Sequence, residues 1–153
     1  MIVADSTAVT ALTLAGCVEV VGRLFGKVII STTAAREMNE VLAALDPDCR
    51  PPEAKDIDPV AIDVPLTAMS MSESESIELC RQVKSRLLIS DDPVVRAEAA
   101  KERIACIGTL GILYAARSRG IIQDIETPLE RLRRLGWFIS PECEQLLLSR
   151  AGG

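Results

Sequence analysis

The sequence contains no histidine, few aromatic residues, and five cysteines that are never spaced as CxxC pairs. Without histidine, the chain cannot build a Ser-His-Asp or Cys-His catalytic site or a histidine-based ribonuclease site. It also lacks the ligand that nearly every catalytic zinc site uses. The dispersed cysteines are typical of small buried apolar residues in a reducing compartment. Any hydrolytic chemistry therefore has to rest on carboxylates, and we expect it to use a hard metal ion.

Long apolar stretches are missing as well. No apolar run approaches the roughly 18 residues that a membrane span needs, and no basic segment precedes an apolar run as in a signal peptide. We expect no membrane association and a cytoplasmic protein. The 153 residues, 48% of them hydrophobic, predict one domain over residues 1–153 with a full core. Residues 137–153 are predicted to be a C-terminal extension that packs on this domain or on a partner.

Charge is distributed unevenly along the chain, whose formal net charge is −5. Residues 80–134 hold 11 of the 17 Lys and Arg residues against seven acids, so the rest of the chain is strongly acidic. Most of these basic residues are expected to lie on solvated helix faces. Some of them could instead follow a phosphate backbone.

Apolar runs without alternation recur along the chain, and they are typical of strands buried on both faces of a parallel sheet. These runs are MIVA, KVIIS, LLIS and RIACIGT. Segments with apolar residues at helical spacing lie between them, which predicts an α/β fold around a mainly parallel sheet. The hydroxyls of Thr32 and Thr33 are predicted to cap a helix that runs to about Ala44.

Two regions depart from this alternation of strands and helices. The proline-rich residues 45–58 predict a loop, and VAIDV at residues 60–64 predicts a short strand, at the sheet edge because Pro65 ends it. Two further helices are predicted near the C-terminus, at residues 128–135 and 141–149.

Acidic residues stand at the ends of the predicted strands and in the first turns of the helices that follow. Asp5 and Asp92 follow strands, whereas Glu37 and Glu73 lie early in helices. Asp5 alone is weak evidence for a site, because Asp-Ser-Thr is also good helix-capping chemistry. Four carboxylates gathered at one sheet edge repel one another unless a cation joins them. Mg²⁺ or Mn²⁺ suits such oxygen ligands, and either ion can activate water against a phosphodiester.

Several motifs, taken in order, resemble those of the PIN domain over about residues 1–148. They are Asp5-Ser6-Thr7 after the first strand, Glu37 after IISTTAA, then SESESIEL, LLISDD and GTLGIL. The sequence is most similar to the bacterial and archaeal branch described as predicted nucleic-acid-binding proteins containing a PIN domain, which is kin to VapC toxins. Where that branch shows Asp-Thr-Ser-Pro, this chain has residues 5–8 as Asp-Ser-Thr-Ala, and Ser72 replaces a glycine before the third acid.

The resemblance implies a three-layer α/β/α sandwich and a metal site. It places the catalytic acids at Asp5, Glu37, Glu73 and Asp92, with Asp91 as a further metal ligand. It implies supporting roles for Ser6, Glu75, Ser90 and Thr109. The implied activity is that of a Mg²⁺- or Mn²⁺-dependent ribonuclease acting on single-stranded RNA, which would be a toxin if an antitoxin protein accompanies it.

Two other functions remain open at this point. A PIN-fold module without turnover could bind nucleic acid or protein. A phospho-acceptor or haloacid-dehalogenase-like role for Asp5 is weaker, because those folds need a second carboxylate nearby and residues 6–10 are STAVT. The family commonly dimerises, and the apolar residues 137–139 and 146–148 offer surface for it, so we predict a homodimer.

The SESE cluster leaves a choice between two glutamates. If Ser72 is the N-cap, Glu75 can complete a capping box and Glu73 is free to face the cleft. If Ser70 is the cap, the roles are reversed. The resemblance favours Glu73 as the ligand and Glu75 as a cap or supporting carboxylate.

Overall fold

The computed structural model describes residues 2–26, 28–45, 57–60 and 71–136, without the side chains of 18, 57–60 and 71–74. The strands are β1 (Ile2–Ala4), β2 (Val28–Ser31), β3 (Ile57–Val60), β4 (Leu87–Ile89) and β5 (Ala105–Ile107). The helices are α1 (Ser6–Leu14), α2 (Val18–Phe25), α3 (Thr32–Ala43), α4 (Met71–Val83), α5 (Pro93–Lys101), α6 (Thr109–Ser118) and α7 (Glu126–Arg134).

The described strands form one parallel sheet in the order β3-β2-β1-β4-β5. Neighbouring side chains of a strand face opposite sides of it, and here both sides are apolar. Val3 packs in a cluster with residues of α4 and α5, whereas Ala4 packs in a cluster with residues of α1, α2, α6 and α7. The sheet therefore lies between two helical layers, which confirms the predicted α/β/α architecture and explains why the strands show no polar alternation.

The N-cap of helix α3 is Ser31, one residue before the predicted capping hydroxyls. Ser31 has an extended backbone, and its Oγ accepts a hydrogen bond from the amide of Ala34 at 3.0 Å. Thr32 and Thr33 lie inside the helix, so their predicted capping role is wrong. Ser31 ends β2, and it is the last residue before the helix whose backbone is not helical, which is the conformation that an N-cap requires.

A strand lies at Ile57–Val60, mostly inside what was predicted to be a loop, and residues 61–64 of the predicted strand lie outside the described residues. Among the described strands β3 pairs with β2 alone, so it is at an edge of the described sheet, the position predicted for this region. Pro59 lacks an amide donor, and an edge strand tolerates this because one side of it needs no partner.

Helix α7 begins at Glu126, two residues before the predicted start. The Asp124 carboxylate accepts hydrogen bonds from the amides of Glu126 and Thr127, which satisfies donors that a helix N-terminus leaves unpaired. The predicted helix at 141–149 and the apolar residues proposed for dimerisation lie outside the described residues.

The cysteines that the structure describes behave as apolar residues. Cys17 and Cys80 are buried, and Cys106 is partly buried. Burial raises the pKa of the Cys17 thiol to about 11 and that of Cys80 to about 12, so both remain protonated at neutral pH. Within the described ranges, no single helix is long and apolar enough to cross a membrane; α1 and residues 19–25 pass that test only as a pair bent by 117°.

The capping assignment predicts unequal effects of two hydroxyl substitutions. Ser31→Ala should lower the free energy of unfolding by about 1 kcal/mol, because the Ala34 amide loses its partner. Thr32→Ala should change it much less, since Thr32 is an exposed first-turn residue. Urea unfolding followed by circular dichroism measures both values. A larger loss for Thr32→Ala would contradict the assignment.

Candidate active site at the carboxyl edge of the sheet

Parallel strands end at one common edge of the sheet, and this edge carries most of the predicted site. Strand β1 lies between β2 and β4, so the chain leaves it in one direction and later returns on its other side. Such a topological switch point is where open α/β sheets bind their ligands. Asp5 follows β1 there, and residues 90–92 follow β4.

Asp5 is the buried acid of this edge, with 3% of its surface exposed. Its Oδ1 accepts hydrogen bonds from the Ala8 amide at 3.0 Å and from Thr7 Oγ1 at 2.6 Å. Its Oδ2 accepts one from Ser90 Oγ. The bond from Ala8 makes Asp5 the N-cap of α1, so Asp5 caps a helix and occupies the strand-end site at once.

Burial raises the pKa of the Asp5 carboxyl above its ordinary value, because desolvation disfavours the charged form. The hydrogen bonds from Ser90, Thr7 and Ala8 act in the opposite direction, and the nearby charge of Asp91 raises the pKa further. Desolvation is the largest of these effects. An ionised Asp5 is therefore under electrostatic stress that a cation would relieve.

Ser90 connects the central strands at this edge. Its amide donates to the Ile107 carbonyl at 3.0 Å, which continues the β4–β5 pairing. Its hydroxyl donates to Asp5 and accepts from the Asp92 amide at 3.1 Å. Since Ser90 is fully buried, these contacts fix the distance of Asp5 from the Asp91-Asp92 pair. The structure thus brings Ser90 to the first acid, as the sequence motif predicts.

Asp91 turns towards the start of α6. Its Oδ1 accepts a hydrogen bond from the Thr109 amide at 2.8 Å, and its Oδ2 accepts one from the Thr109 hydroxyl. A Cβ atom at Gly108 would lie 2.7 Å from Asp91 Oδ1, so glycine is required for this close approach. Asp91 also donates its amide to Thr7 Oγ1 at 3.2 Å. Thr109 and Thr7 together fix the orientation of Asp91.

Asp92 turns the other way and caps α5. Its Oδ1 accepts from the amides of Val94 at 2.8 Å and Val95 at 3.4 Å, and Pro93 occupies the first helical position. No donor among the described residues reaches Asp92 Oδ2. One oxygen of Asp92 is therefore committed to the helix, and the other is available to a ligand.

Glu75 is a buried carboxylate on α4 with 6% of its surface exposed. Thr33 Oγ1 donates to its Oε1 at 2.9 Å, and its buried Oε2 has no hydrogen-bond partner in the described part of the chain. A buried carboxylate oxygen without a donor is costly, and an ion or an ordered water usually occupies such a position. Glu37 follows Thr33 by four residues, so it shares that face of α3.

The start of α4 bears on the choice between the two glutamates. The helix begins at Met71, so Ser72 lies inside it and is not the N-cap. The capping argument for Glu73 as the free glutamate therefore does not hold. Glu73 lies in the first turn, and its side chain is outside the described part.

Sequence reasoning missed two hydroxyls of the site. It named Ser6, but Thr7 is the residue that bridges Asp5 and Asp91. It assigned Thr33 to capping, whereas Thr33 binds Glu75. The spacing of Thr7, two residues after Asp5, is the one available signal, because a hydroxyl there can reach the aspartate side chain.

Among the described side chains, no three His, Cys, Asp or Glu residues lie close enough together to hold a metal ion. The described acids instead form an Asp5–Asp91 neighbourhood and a separate Thr33–Glu75 pair. Mg²⁺ is commonly bound by one or two carboxylates with waters and substrate phosphates, and not by an all-protein cage. An open site of this kind is compatible with that mode of binding.

Comparison with known proteins identifies the fold. The family model described as DUF3368: PIN domain matches residues 1–153. The chain belongs to the PIN-domain family. A PilT N-terminus domain protein from the hyperthermophilic archaeon Sulfolobus solfataricus P2 has a similar structure, with a TM-score of 0.51 and 18% identity over 75% of this chain and 92% of that one. No curated protein matches the sequence.

Family membership relates the acids at the carboxyl edge of the sheet to the chemistry of PIN domains in general. The PIN domain is a nuclease-type fold, and PIN domains generally use divalent metals. In this PIN domain Asp5, Asp91 and Asp92 lie at the carboxyl edge of the sheet, directly after the ends of β1 and β4. The structure brings together Asp5, Ser90, Asp91, Asp92 and Thr109, and it places Glu37 and Glu75 on the neighbouring helices.

The raised pKa of Asp5 predicts that removal of its charge stabilises the metal-free protein. Protonated Asp5 contributes its full stability at pH values below the pKa that Asp5 has in the unfolded chain. This contribution is lost as the pH rises through the higher pKa that Asp5 has in the folded protein. In EDTA at pH 7, Asp5→Asn should therefore unfold at or above the temperature of the parent. This advantage should disappear as the pH is lowered towards 4.

Asp124→Asn is the matched control, because hydrogen bonds from Thr127 and Glu126 lower the pKa of Asp124. Its stabilising effect is present above the unfolded pKa and is lost as the pH falls. Asp124→Asn should thus lower the unfolding temperature at pH 7, the opposite sign to Asp5→Asn. Calorimetry across pH measures both, and a less stable Asp5→Asn protein at pH 7 would contradict the analysis.

Proposed function

We propose that this PIN-domain protein is a Mg²⁺- or Mn²⁺-dependent endoribonuclease that cleaves single-stranded RNA. The observation that supports it most is the buried Asp5 carboxylate at the switch point of the sheet, held by Ser90 and Thr7. A buried acid whose charge is disfavoured by desolvation is more typical of a functional site than of a purely structural cap.

The side chains present fit a hard divalent ion. Every candidate ligand is an oxygen atom. Glu75 Oε2, which has no partner among the described residues, is a buried acceptor that an ion or its bound water would satisfy. Asp5, Glu37, Asp92 and one glutamate of the SESE cluster are the candidate ligands, with Asp91 beside them. Since no three of the described acids converge on one point, we expect one or two of them to bind the ion directly and the others to contact its bound waters. When bound, such an ion lowers the pKa of a water molecule and stabilises the leaving oxygen of a phosphodiester.

The protein's own contribution is orientation. Ser90 and Thr7 donate to different oxygens of Asp5, which restricts rotation of the carboxylate. Thr109 restricts Asp91 in the same way with two donors. Hydrogen bonds of this kind fix ligand geometry before substrate arrives, and their loss typically costs about 10–100-fold in metal affinity or activity.

Cleavage of an end-labelled, unstructured RNA oligonucleotide with Mg²⁺ or Mn²⁺ tests the proposal. Asp5→Asn should reduce the cleavage rate by more than roughly 100-fold. A loss of that size is the upper end for residues that only hydrogen-bond to a metal ligand, so a proposed ligand should exceed it. Asp124→Asn makes the same chemical change at the start of α7 and should retain activity. Asp124 follows α6, which runs from the carboxyl edge of the sheet back towards the amino edge, so it lies away from the site.

Manganese titration by thermal unfolding separates a nuclease from a silent binding module. Mn²⁺ should raise the unfolding temperature of the parent and not that of Asp5→Asn, because the ion binds the native state. A parent protein that neither binds Mn²⁺ nor cleaves RNA would overturn the nuclease proposal.

The third acidic ligand of the ion comes from the SESE cluster, and we propose that it is Glu75. Its side chain is buried and oriented by Thr33, and its Oε2 has no partner in the described part of the chain. The capping argument for Glu73 required Ser72 as the N-cap, and Ser72 lies inside the helix. Glu75→Gln should abolish Mn²⁺-dependent stabilisation and cleavage, and Glu73→Gln should retain both. The reverse result would restore Glu73 as the ligand, as the resemblance implies.

Three further features remain predictions: a role as a toxin, the existence of an antitoxin partner, and assembly into a homodimer. A short upstream gene for a DNA-binding protein would support the toxin role. Light scattering that gives a 16.5 kDa species at micromolar concentration would exclude the dimer.

A further inference from the structure

Arg96 reaches the same edge of the sheet from α5. It is an exposed residue, and its Nη1 donates a hydrogen bond to the Ser90 carbonyl at 3.0 Å. Its amide donates to the Asp92 carbonyl at 3.0 Å, so Arg96 lies one turn into the helix that Asp92 caps. Helical side chains lean towards the N-terminus of their helix, which directs this guanidinium back to the end of β4.

Ser90 links Arg96 to the buried acid. Its hydroxyl contacts Asp5 while its carbonyl contacts Arg96, so one residue separates the guanidinium from the centre of the proposed site. A Cβ atom built on Gly108 would lie 3.4 Å from Arg96 Nη1 and 2.7 Å from Asp91 Oδ1. The guanidinium therefore lies at the ends of β4 and β5, beside the Asp91–Thr109 pair.

The described residues use little of the hydrogen-bonding capacity of Arg96. A guanidinium has five N–H donors, and the Ser90 carbonyl accounts for one of them. No described carboxylate forms an ion pair with Arg96, and the neighbouring Asp91 carboxylate instead accepts two hydrogen bonds from Thr109. Other bases behave differently: Arg81 pairs with Glu78 and Glu102, and Lys101 pairs with Glu98.

A cation fixed beside several acids, and paired with none of those described, is suited to an anion that arrives from outside. We propose that Arg96 binds a non-bridging phosphate oxygen of the RNA backbone at the active site. The inference rests on the proposed ribonuclease function and adds a substrate-binding residue to it. A guanidinium matches phosphate with paired N–H donors, and the anchor on Ser90 reduces the rotamer entropy that binding would otherwise remove.

This contact also answers an electrostatic problem of the site. Acids placed to bind a metal ion repel the phosphodiester that they must cleave. Arg96 supplies positive charge at the same edge without neutralising the acids. It belongs to the basic region 80–134, whose other residues are mostly expected on solvated helix faces.

The test is the salt dependence of RNA binding. The Asp5→Asn protein serves as the parent for this test, because it should leave a single-stranded RNA oligonucleotide uncleaved. The affinity of this protein for the RNA is measured by fluorescence anisotropy in the presence of Mg²⁺, with KCl varied from 50 to 300 mM. For single-stranded nucleic acid, loss of one phosphate contact should reduce the slope of log K against log[salt] by about 0.7. Arg96→Gln in this background should show that change and about a tenfold loss of affinity at the lowest salt.

Arg86→Gln is the matched control, because Arg86 is an exposed arginine directly before β4, at the opposite edge of the sheet. It removes the same charge and should leave both slope and affinity close to the parent. Arg96→Lys keeps the charge but not the paired donors, so it should keep the slope and lose part of the affinity. Thermal unfolding verifies that each variant is folded, and the lysine variant decides the matter if Arg96→Gln is not.

The outcomes separate the two proposals. Equal losses for Arg96→Gln and Arg86→Gln would show a diffuse charge effect and overturn the inference. An unchanged slope for Arg96→Gln would overturn it as well, while RNA cleavage by the wild-type protein would still support the nuclease. Absence of both RNA binding and cleavage in the proteins with Arg96 intact would overturn the proposed function, and this inference with it.

Discussion

The carboxylate of Asp5 is the constraint on which the carboxyl edge of this protein depends. It is buried between two helical layers, where desolvation opposes its charge, so its oxygens need donors. Those donors come from residues 7, 8 and 90. The first turn of α1 supplies Thr7 and Ala8, whereas the pairing of β1 with β4 brings Ser90 to Asp5. The buried acid therefore depends on both the helix that follows β1 and the hydroxyl that ends β4.

Much of this edge could be predicted from sequence because parallel strands share a direction. Once apolar runs without alternation are identified as buried strands, the residues that follow them must meet at one edge. The strand-end reasoning placed Asp5 and Asp92 at this edge, and it needed only the position of each residue after its strand. The family resemblance added Ser90, Asp91 and Thr109, and in the structure Ser90 contacts Asp5 and Thr109 contacts Asp91.

The roles of hydroxyls that are adjacent in sequence could not be predicted, because neighbouring serines and threonines have similar capping preferences. Ser31 and not Thr32 caps α3, since backbone conformation at the end of β2 decides which hydroxyl faces the free amides. Thr33 is thereby released to bind Glu75, 42 residues further along the chain. A contact of that separation depends on how α3 and α4 pack, which local sequence does not encode.

Asp91 and Asp92 show how adjacent acids acquire different roles. Side chains of consecutive residues in an extended segment point to opposite sides, so Asp91 reaches α6 and Asp92 reaches α5. Asp91 has both oxygens occupied by Thr109, whereas Asp92 keeps one oxygen free of described donors. Each carboxylate oxygen has two lone pairs, so an oxygen that accepts one hydrogen bond, as in Asp5, can still bind a cation. The two bonds from Thr109 nevertheless aim Asp91 at the β5–α6 turn, whereas Asp92 Oδ2 has no described donor and can face the proposed metal ion without losing a contact.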